Sequence, residues 1–229
     1  TQDMPSDYLY VVNSDGTCAV LNSMREQELL AWSWFDTDGY FEDVAVSGRK
    51  VYFIVKRNIN GSDVRFIERL NPDCKLDCSS LLTNGSPTTS WSGLSHLSGE
   101  EVRVIGDDYI LDNEVVTAGS ITSSKSVSDL EAGLFFEPSV KGLPLDINIQ
   151  GQYFSGEWKS PVFANVRFYQ SRGAVVKYSG NTFRIGNRYF GRGVLDTAIQ
   201  IIDGWKKFWI GGVKRDVEVE VTQEHPLEF

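Results

Sequence analysis

The sequence predicts an all-β protein, and three observations carry that prediction. Short runs rich in Val, Ile, Tyr, Phe and Trp recur along the chain, turn residues separate them at intervals of about eight to twelve positions, and no apolar run exceeds a handful of residues. The pattern fits a sandwich, barrel or propeller and contains no stretch long enough for a membrane-spanning helix. Hydrophobic residues make up 41% of the 229 positions and aromatics 12%, which excludes wholesale disorder and allows a substantial core.

Taken in order, Tyr8–Val12 (YLYVV), the turn Asn13–Gly16 (NSDG) and Cys18–Leu21 (CAVL) read as a short hairpin. LLAWSWFD (29–36) and YFEDVAV (40–46) follow as two strands around a turn at Thr37–Gly39. From Lys50 to Leu70, VYFIVKR and DVRFIERL flank Asn60-Gly61, the strongest short-range hairpin signal. There Val51, Phe53 and Val55 share one face, and Tyr52, Ile54 and Lys56 the other. Both faces are largely apolar, so both are expected to be covered, as in stacked blades. Recurrence of the hairpin pattern suggests a repeated unit. Two places could instead be helical: Ser23-Met-Arg-Glu26 fits a capping box before Leu29 and Leu30, and VLDTAIQII (194–202) carries a helical apolar spacing. The alternation of Trp32-Ser-Trp34-Phe35 favours strand for the first; the second is left open.

SSLLTNGSPTTSWS (79–92) lacks periodicity and is rich in turn formers, so a linker is expected there. Short strands at 101–105, 109–111, 114–116 and 119–122, with tight turns between them, make a small β module. Pro138, Gly142 and Pro144 punctuate the passage to a third region, whose strand candidates are 161–170, 174–178, 182–185 and the alternating VEVEVT at 217–222. The expected organisation is therefore propeller-type antiparallel blades over 1–82, a linker over 83–92, an inserted small β module over 93–137 and a C-terminal β-rich region over 138–229, able to pack back on the blades.

Chemistry is sparsely represented. Twenty-two basic against 31 acidic residues give a formal charge of −9, which argues against a protein that wraps nucleic acid by neutralising phosphates. No nucleophile elbow, phosphate-binding loop or zinc-protease motif occurs, so no enzymatic role and no cofactor are expected. Cys18, Cys74 and Cys78 make no even disulfide framework, and Cys74 and Cys78 could supply only two of the four ligands of a structural zinc site, the two histidines lying far away in sequence. Reduced thiols are expected. His96 lies where a surface or hydrogen-bonding role suffices, and His225 is expected in a terminal tail. Paired acids at Glu100-Glu101, Asp107-Asp108 and Asp36/Asp38 could in principle flank a sugar, but in a β protein such pairs more often serve turns.

Interaction surfaces are better represented. Trp32 and Trp34 share one strand face, with core or blade-to-blade packing as their default. GWKKFWIGG (204–212) sets Trp205 and Trp209 around Lys206 and Lys207; it could stack on sugars, anchor a partner subunit or simply fill the core. Arg167, Arg172, Arg184, Arg188 and Arg192, with Lys177, make 167–192 locally basic, a candidate contact for an acidic neighbour or passing DNA.

The order Arg25-Glu26-Gln27-Glu28, Ala31-Trp32, Thr37-Asp38-Gly39, Val44-Ala45-Val46, Val51-Tyr52, Val55-Lys56-Arg57, Ile59-Asn60-Gly61 and Ile67-Glu68-Arg69-Leu70 resembles the β-propeller part of tail nozzle proteins. These are the tail tubular protein B family of short-tailed bacteriophages. The likeness continues through Gly93-Leu94-Ser95-His96-Leu97, 101–117, Ala132-Gly133-Leu134 and Gly142-Leu143-Pro144-Leu145, and ends in Val166-Arg167-Phe168-Tyr169 and Ser171-Arg172-Gly173. It covers roughly the first two thirds of the chain and rests on patterns rather than on a chemical signature. The resemblance implies a structural virion protein of the tail, assembled in the host cytoplasm. Its implied partners are further copies of itself in a ring, the adaptor and fibre proteins, and genome DNA in transit. An acidic wall would suit such a conduit, because it repels phosphates instead of holding them. Glycosylation acceptor patterns at Asn60 and Asn84 would be idle in such a protein. Members of the family are longer and this chain begins at Thr1, so a piece of a longer protein is expected, with further blades supplied by the missing part. Two rivals stand beside this reading: a glycan-binding or glycan-cleaving tail component, and a bacterial β-propeller adaptor.

Overall fold

The computed structural model describes residues 8–24, 29–146, 148–149, 152–153, 156–185 and 201–228. Arg25 to Glu28, Arg188, Arg192 and positions 194–200 of the second helical candidate lie outside the described residues. The fold is all-β, built from several antiparallel sheets; among the described residues these close into no barrel. The chain divides into two compact units, Thr1–Asp107 with Leu111–Phe136, and Asp108–Ile110 with Glu137–Phe229.

The first unit begins with two three-stranded sheets. Strands β1 (Tyr8–Val12), β2 (Cys18–Met24) and β3 (Leu29–Phe35) pair in chain order, as do β4 (Tyr40–Ser47), β5 (Lys50–Ile59) and β6 (Ser62–Arg69). Ser23 therefore lies within a strand, in place of the helix start that the capping-box pattern would allow. At the β5–β6 turn Asn60 and Gly61 both have positive φ, 48° and 76°, as a type I′ turn requires. The two sheets share a core of Cys18, Val20, Phe41, Phe53 and Val55, flanked by Tyr10, Val12, Phe35 and Val44. Gly16 locks one edge of this stack. Its carbonyl accepts from Phe41 N at 2.9 Å, its φ is +88°, and a Cβ there would lie 2.2 Å from the Tyr40 ring.

The rest of the first unit is a larger sheet. Strands β7 (Asp77–Ser92), β8 (Glu101–Gly106), β10 (Glu114–Val115) and β11 (Ser120–Leu134) lie in the order β10-β8-β11-β7, while β9 (Tyr109–Ile110), between β8 and β10 in the chain, falls in the segment grouped with the second unit. The expected linker at 83–92 is thus corrected: it is the second half of a strand paired with β11, from Thr83↔Asp129 to Ser92↔Ser120. The reason is position. β7 is an edge strand, where Pro87 removes no ladder bond that an interior strand would need, and register shifts around Thr88 absorb the Gly-Ser-Pro irregularity.

In the second unit β12 (Ser139–Lys141) joins a sheet of order β12-β19-β16-β17. Strands β13 (Asn148–Ile149) and β14 (Gln152–Tyr153) pair with each other. Strand β15 (Phe163–Ser171) pairs with β18 (Ile202–Trp209), while β16 (Ala174–Tyr178), β17 (Asn181–Ile185) and β19 (Glu220–Thr222) complete the four-stranded sheet. Phe168, Ala174, Val176, Tyr178, Phe208, Ile210 and Val217 form the core, with Val219 and Val221 against it, so the alternation of VEVEVT does sort apolar residues inward. The tail expected around His225 is packed instead. Gln223 is fully buried and donates to Gly173 O at 2.8 Å, and Leu227 is buried. A buried amide that finds a carbonyl holds the segment down more firmly than its charged, Pro-containing sequence suggests.

Candidate functional site

Strand alternation places Arg57 on the same face as Phe53 and Val55, so its side chain must enter the interior of the first unit. It is 1% exposed, and the structure surrounds it with acceptors. Nε and Nη2 donate to the two oxygens of Glu68 at 2.6 and 2.7 Å, Nη2 also reaches Asp77 Oδ1 at 3.0 Å, and Nη1 donates to the Asp38 carbonyl at 3.0 Å. Burial alone would lower the guanidinium's pKa, but the bond to Glu68 and the charge of Asp77 outweigh it, and the net shift is upward. Thr37 Oγ1 donates to the other Asp77 oxygen. Next to Asp77, the Cys78 thiol is pushed up to about 12, first by burial and then by the Glu68 carboxylate, so it is inert at neutral pH. His96, in the single 3₁₀ turn (Ser95–Leu97) of the described residues, donates from Nε2 to Cys78 O at 3.1 Å and meets the Phe66 ring edge-on. This network joins the β3–β4 turn, β5, β6 and the start of β7. It is structural: each charge is spent on a neighbour within the unit.

The outer faces of the two small sheets differ. On β1–β3, the apolar residues opposite the core are Leu9, Val11, Ala19, Leu21, Leu30, Trp32 and Trp34, paired across the strands as Leu9↔Leu21↔Trp32 and Val11↔Ala19↔Trp34, with Ser23 beside Leu30. Trp32 is 60% and Trp34 74% exposed, so neither belongs to the core of the described chain. On the β4–β6 sheet Arg65 forks onto Glu42 at 2.6 and 3.0 Å and Lys56 meets Asp63 at 2.6 Å, with Ile54 and Ile67 exposed between them. The expectation that both faces of the β5–β6 hairpin are covered therefore holds for its inner face alone among the described residues.

The second unit gathers three of the residues singled out in the sequence. Register across β15 and β18 pairs Phe163 with Trp209, Asn165 with Lys207 and Arg167 with Trp205. All six point away from the core residues Phe168 and Phe208, and Trp205 and Trp209 are 68% and 66% exposed. Lys207 Nζ sits 3.9 Å from the Phe163 ring centre and 4.7 Å from that of Trp209, whose rings meet edge-on at 6.1 Å. Burial as the default for the Trp205–Trp209 cluster is thus overturned, because Phe208 is the one aromatic of the three that turns inward, while both tryptophans face out. Of the other described arginines singled out, Arg172 and Arg184 are not part of this face. Arg184 forks onto Glu224 at 2.8 and 2.7 Å, and Arg172 Nε lies 3.0 Å from Glu228.

The paired acids do not converge. Glu100 accepts from Asn60 N and Glu101 from Asn113 Nδ2, while Asp107 caps Ser128 N and Asp129 N at 3.0 Å each. Among the described residues no three His, Cys, Asp or Glu side chains gather to hold a metal, and Cys18, Cys74 and Cys78 are free thiols. Sequence reasoning missed Arg57 and the buried Glu131, which accepts from Lys75 N and Leu76 N at 2.8 and 2.9 Å. Arg57 carried a signal, since it continues the inward series 51, 53, 55; Glu131 carried none.

What these features define is a class: an all-β protein whose chemistry lies in exposed faces and in a buried ionic joint. Comparison with protein-family models and with curated proteins finds no match to the chain.

Proposed function

We propose that the chain is a structural component of a bacteriophage tail, of the nozzle or tail tubular protein B type. It assembles with copies of itself in a ring, meets the adaptor and fibre proteins, and lines the path by which genome DNA leaves the particle. Its place is the virion tail, assembled in the host cytoplasm, and its work is done by interfaces and not by bond making. Beyond the resemblance in the Met24–Leu70 order, one observation supports this reading best: the outer face of β1–β3. Seven apolar residues and Ser23 make it up, two of them tryptophans more than half exposed, and among the described residues no charge interrupts it. A soluble monomer does not ordinarily leave such a patch to water. The other face of the same sheet is covered by a three-stranded antiparallel sheet, and a further blade of that kind is the cover that suits the outer one, in a propeller-type stack. The formal charge of −9 fits a conduit that does not retain phosphates.

The test is the assembly state of the full-length protein. Sedimentation and electron microscopy should show a ring, and the double variant Trp32→Ser/Trp34→Ser should lower ring yield. A strictly monomeric full-length product that never joins a tail overturns the proposal.

A further inference from the structure

We propose that the exposed face of the β15–β18 ribbon binds an acidic polysaccharide. The face is a ladder of unlike rungs. Phe163 and Trp209 form an aromatic rung, Asn165 and Lys207 a polar one, and Arg167 and Trp205 a rung that is half cation and half indole. Trp205 and Trp209 lie four residues apart on one strand, roughly 13 Å at the usual rise, which is the span of a short oligosaccharide and not of a single ring. Sugar rings offer C–H faces that stack on indoles, and hydroxyls and carboxylates at their edges that need donors. Alternating aromatic and polar rungs supply both in turn.

Charge selects the acidic class. Arg167 has no carboxylate partner among the described residues, in contrast to Arg172 and Arg184, and Lys207 is held between two rings with its ammonium outward of the core. The one acid at the end of the face, Asp203, already accepts from Gln170 N at 2.8 Å. Two other polyanions fit less well. Nucleic acid asks for many phosphate contacts, and this face offers two cations on a chain of charge −9. A bilayer asks for a continuous apolar surface, and here Asn165, Lys207 and Arg167 interrupt the rings.

The test uses the whole chain in native affinity electrophoresis and tryptophan-fluorescence titration with polygalacturonate, dextran, a thymidine oligonucleotide and phosphatidylglycerol vesicles as probes. Polygalacturonate should retard the protein and shift its emission, while dextran, oligonucleotide and vesicles should not. Trp205→Ala and Trp209→Ala should each weaken the interaction by about tenfold or more, the equivalent of ~1.4 kcal/mol. Arg167→Gln should weaken it and reduce its salt dependence, and Trp32→Ser in the first unit should leave it unchanged. An unaltered urea midpoint in the variants separates lost binding from lost folding. No retardation by polygalacturonate, equal retardation by dextran, preference for oligonucleotide or vesicles, or full binding by the Trp205→Ala/Trp209→Ala double variant would each overturn the proposal.

Discussion

Arg57 and Arg167 are the same residue on strands of similar character, and their surroundings separate two uses of a guanidinium. Arg57 is buried in the first unit with Glu68, Asp77 and the Asp38 carbonyl around it, so its charge is cancelled where it stands. Arg167 is exposed in the second unit beside Trp205 and Asn165, with no carboxylate among the described residues in reach. A buried charge without partners is expelled or neutralised, so a complete set of partners marks a structural joint. A surface cation set among rings and left unpaired is instead available to something outside the chain.

The contrast breaks first at Arg57. Arg57→Ala leaves the partly buried Glu68 and Asp77 carboxylates beside each other without their shared cation, and the expected loss is about 3–5 kcal/mol in urea unfolding of the first unit. Arg57→Lys keeps the charge but not the planar fork, and should fall between wild type and Ala. Arg167→Ala should move the same midpoint by no more than about 0.5 kcal/mol, as exposed substitutions do. Equal effects at 57 and 167 would erase the distinction.

A second buried charge sharpens it. Glu131 is 6% exposed and holds two backbone N–H groups at the approach to β7. Glu131→Gln keeps the shape and an oxygen for both N–H groups but turns a charged acceptor into a neutral one. The expected cost is about 1.5–3 kcal/mol, the range for bonds to charged groups. Hydrogen exchange at Lys75 and Leu76 should accelerate in this variant, which would show that the loss is local to that turn.

How much of this was legible follows from the range of the interactions. The β5–β6 hairpin was readable because Asn60-Gly61 fixes its register within two residues. Arg57's inward direction was readable from alternation, but Asp77 and Asp38 lie about twenty residues to either side and no local pattern names them. β7 was hidden because Ser, Thr, Asn and Pro resemble a loop unless one knows that the strand lies at an edge. The ribbon face was half visible. Trp205 and Trp209 announced themselves, but only register across more than thirty intervening residues sets Phe163 and Arg167 beside them.

Between these two extremes stands the pair of Arg184 and Glu224. Their forked pair is geometrically good, yet the side chains are 37% and 30% exposed, so solvent and salt screen it. The bond from Arg184 holds the Glu224 carboxyl below its ordinary 4.5, with burial opposing the shift and the arginine's charge adding to it. A folded-state pKa below the unfolded one contributes stability that is fully present above the unfolded value. That contribution is lost as pH falls through the folded value, so its window lies below 4.5. Arg184→Ala should therefore cost about 0.2–1 kcal/mol at pH 7 and low salt, less at high salt, and nothing at a pH where Glu224 is protonated in both states. The pH dependence is the decisive reading. If the variant loses as much stability at acidic pH as at pH 7, Arg184 acts through its aliphatic stem packed on the sheet, and the pair joins Arg57 as structure instead of standing with the screened surface charges.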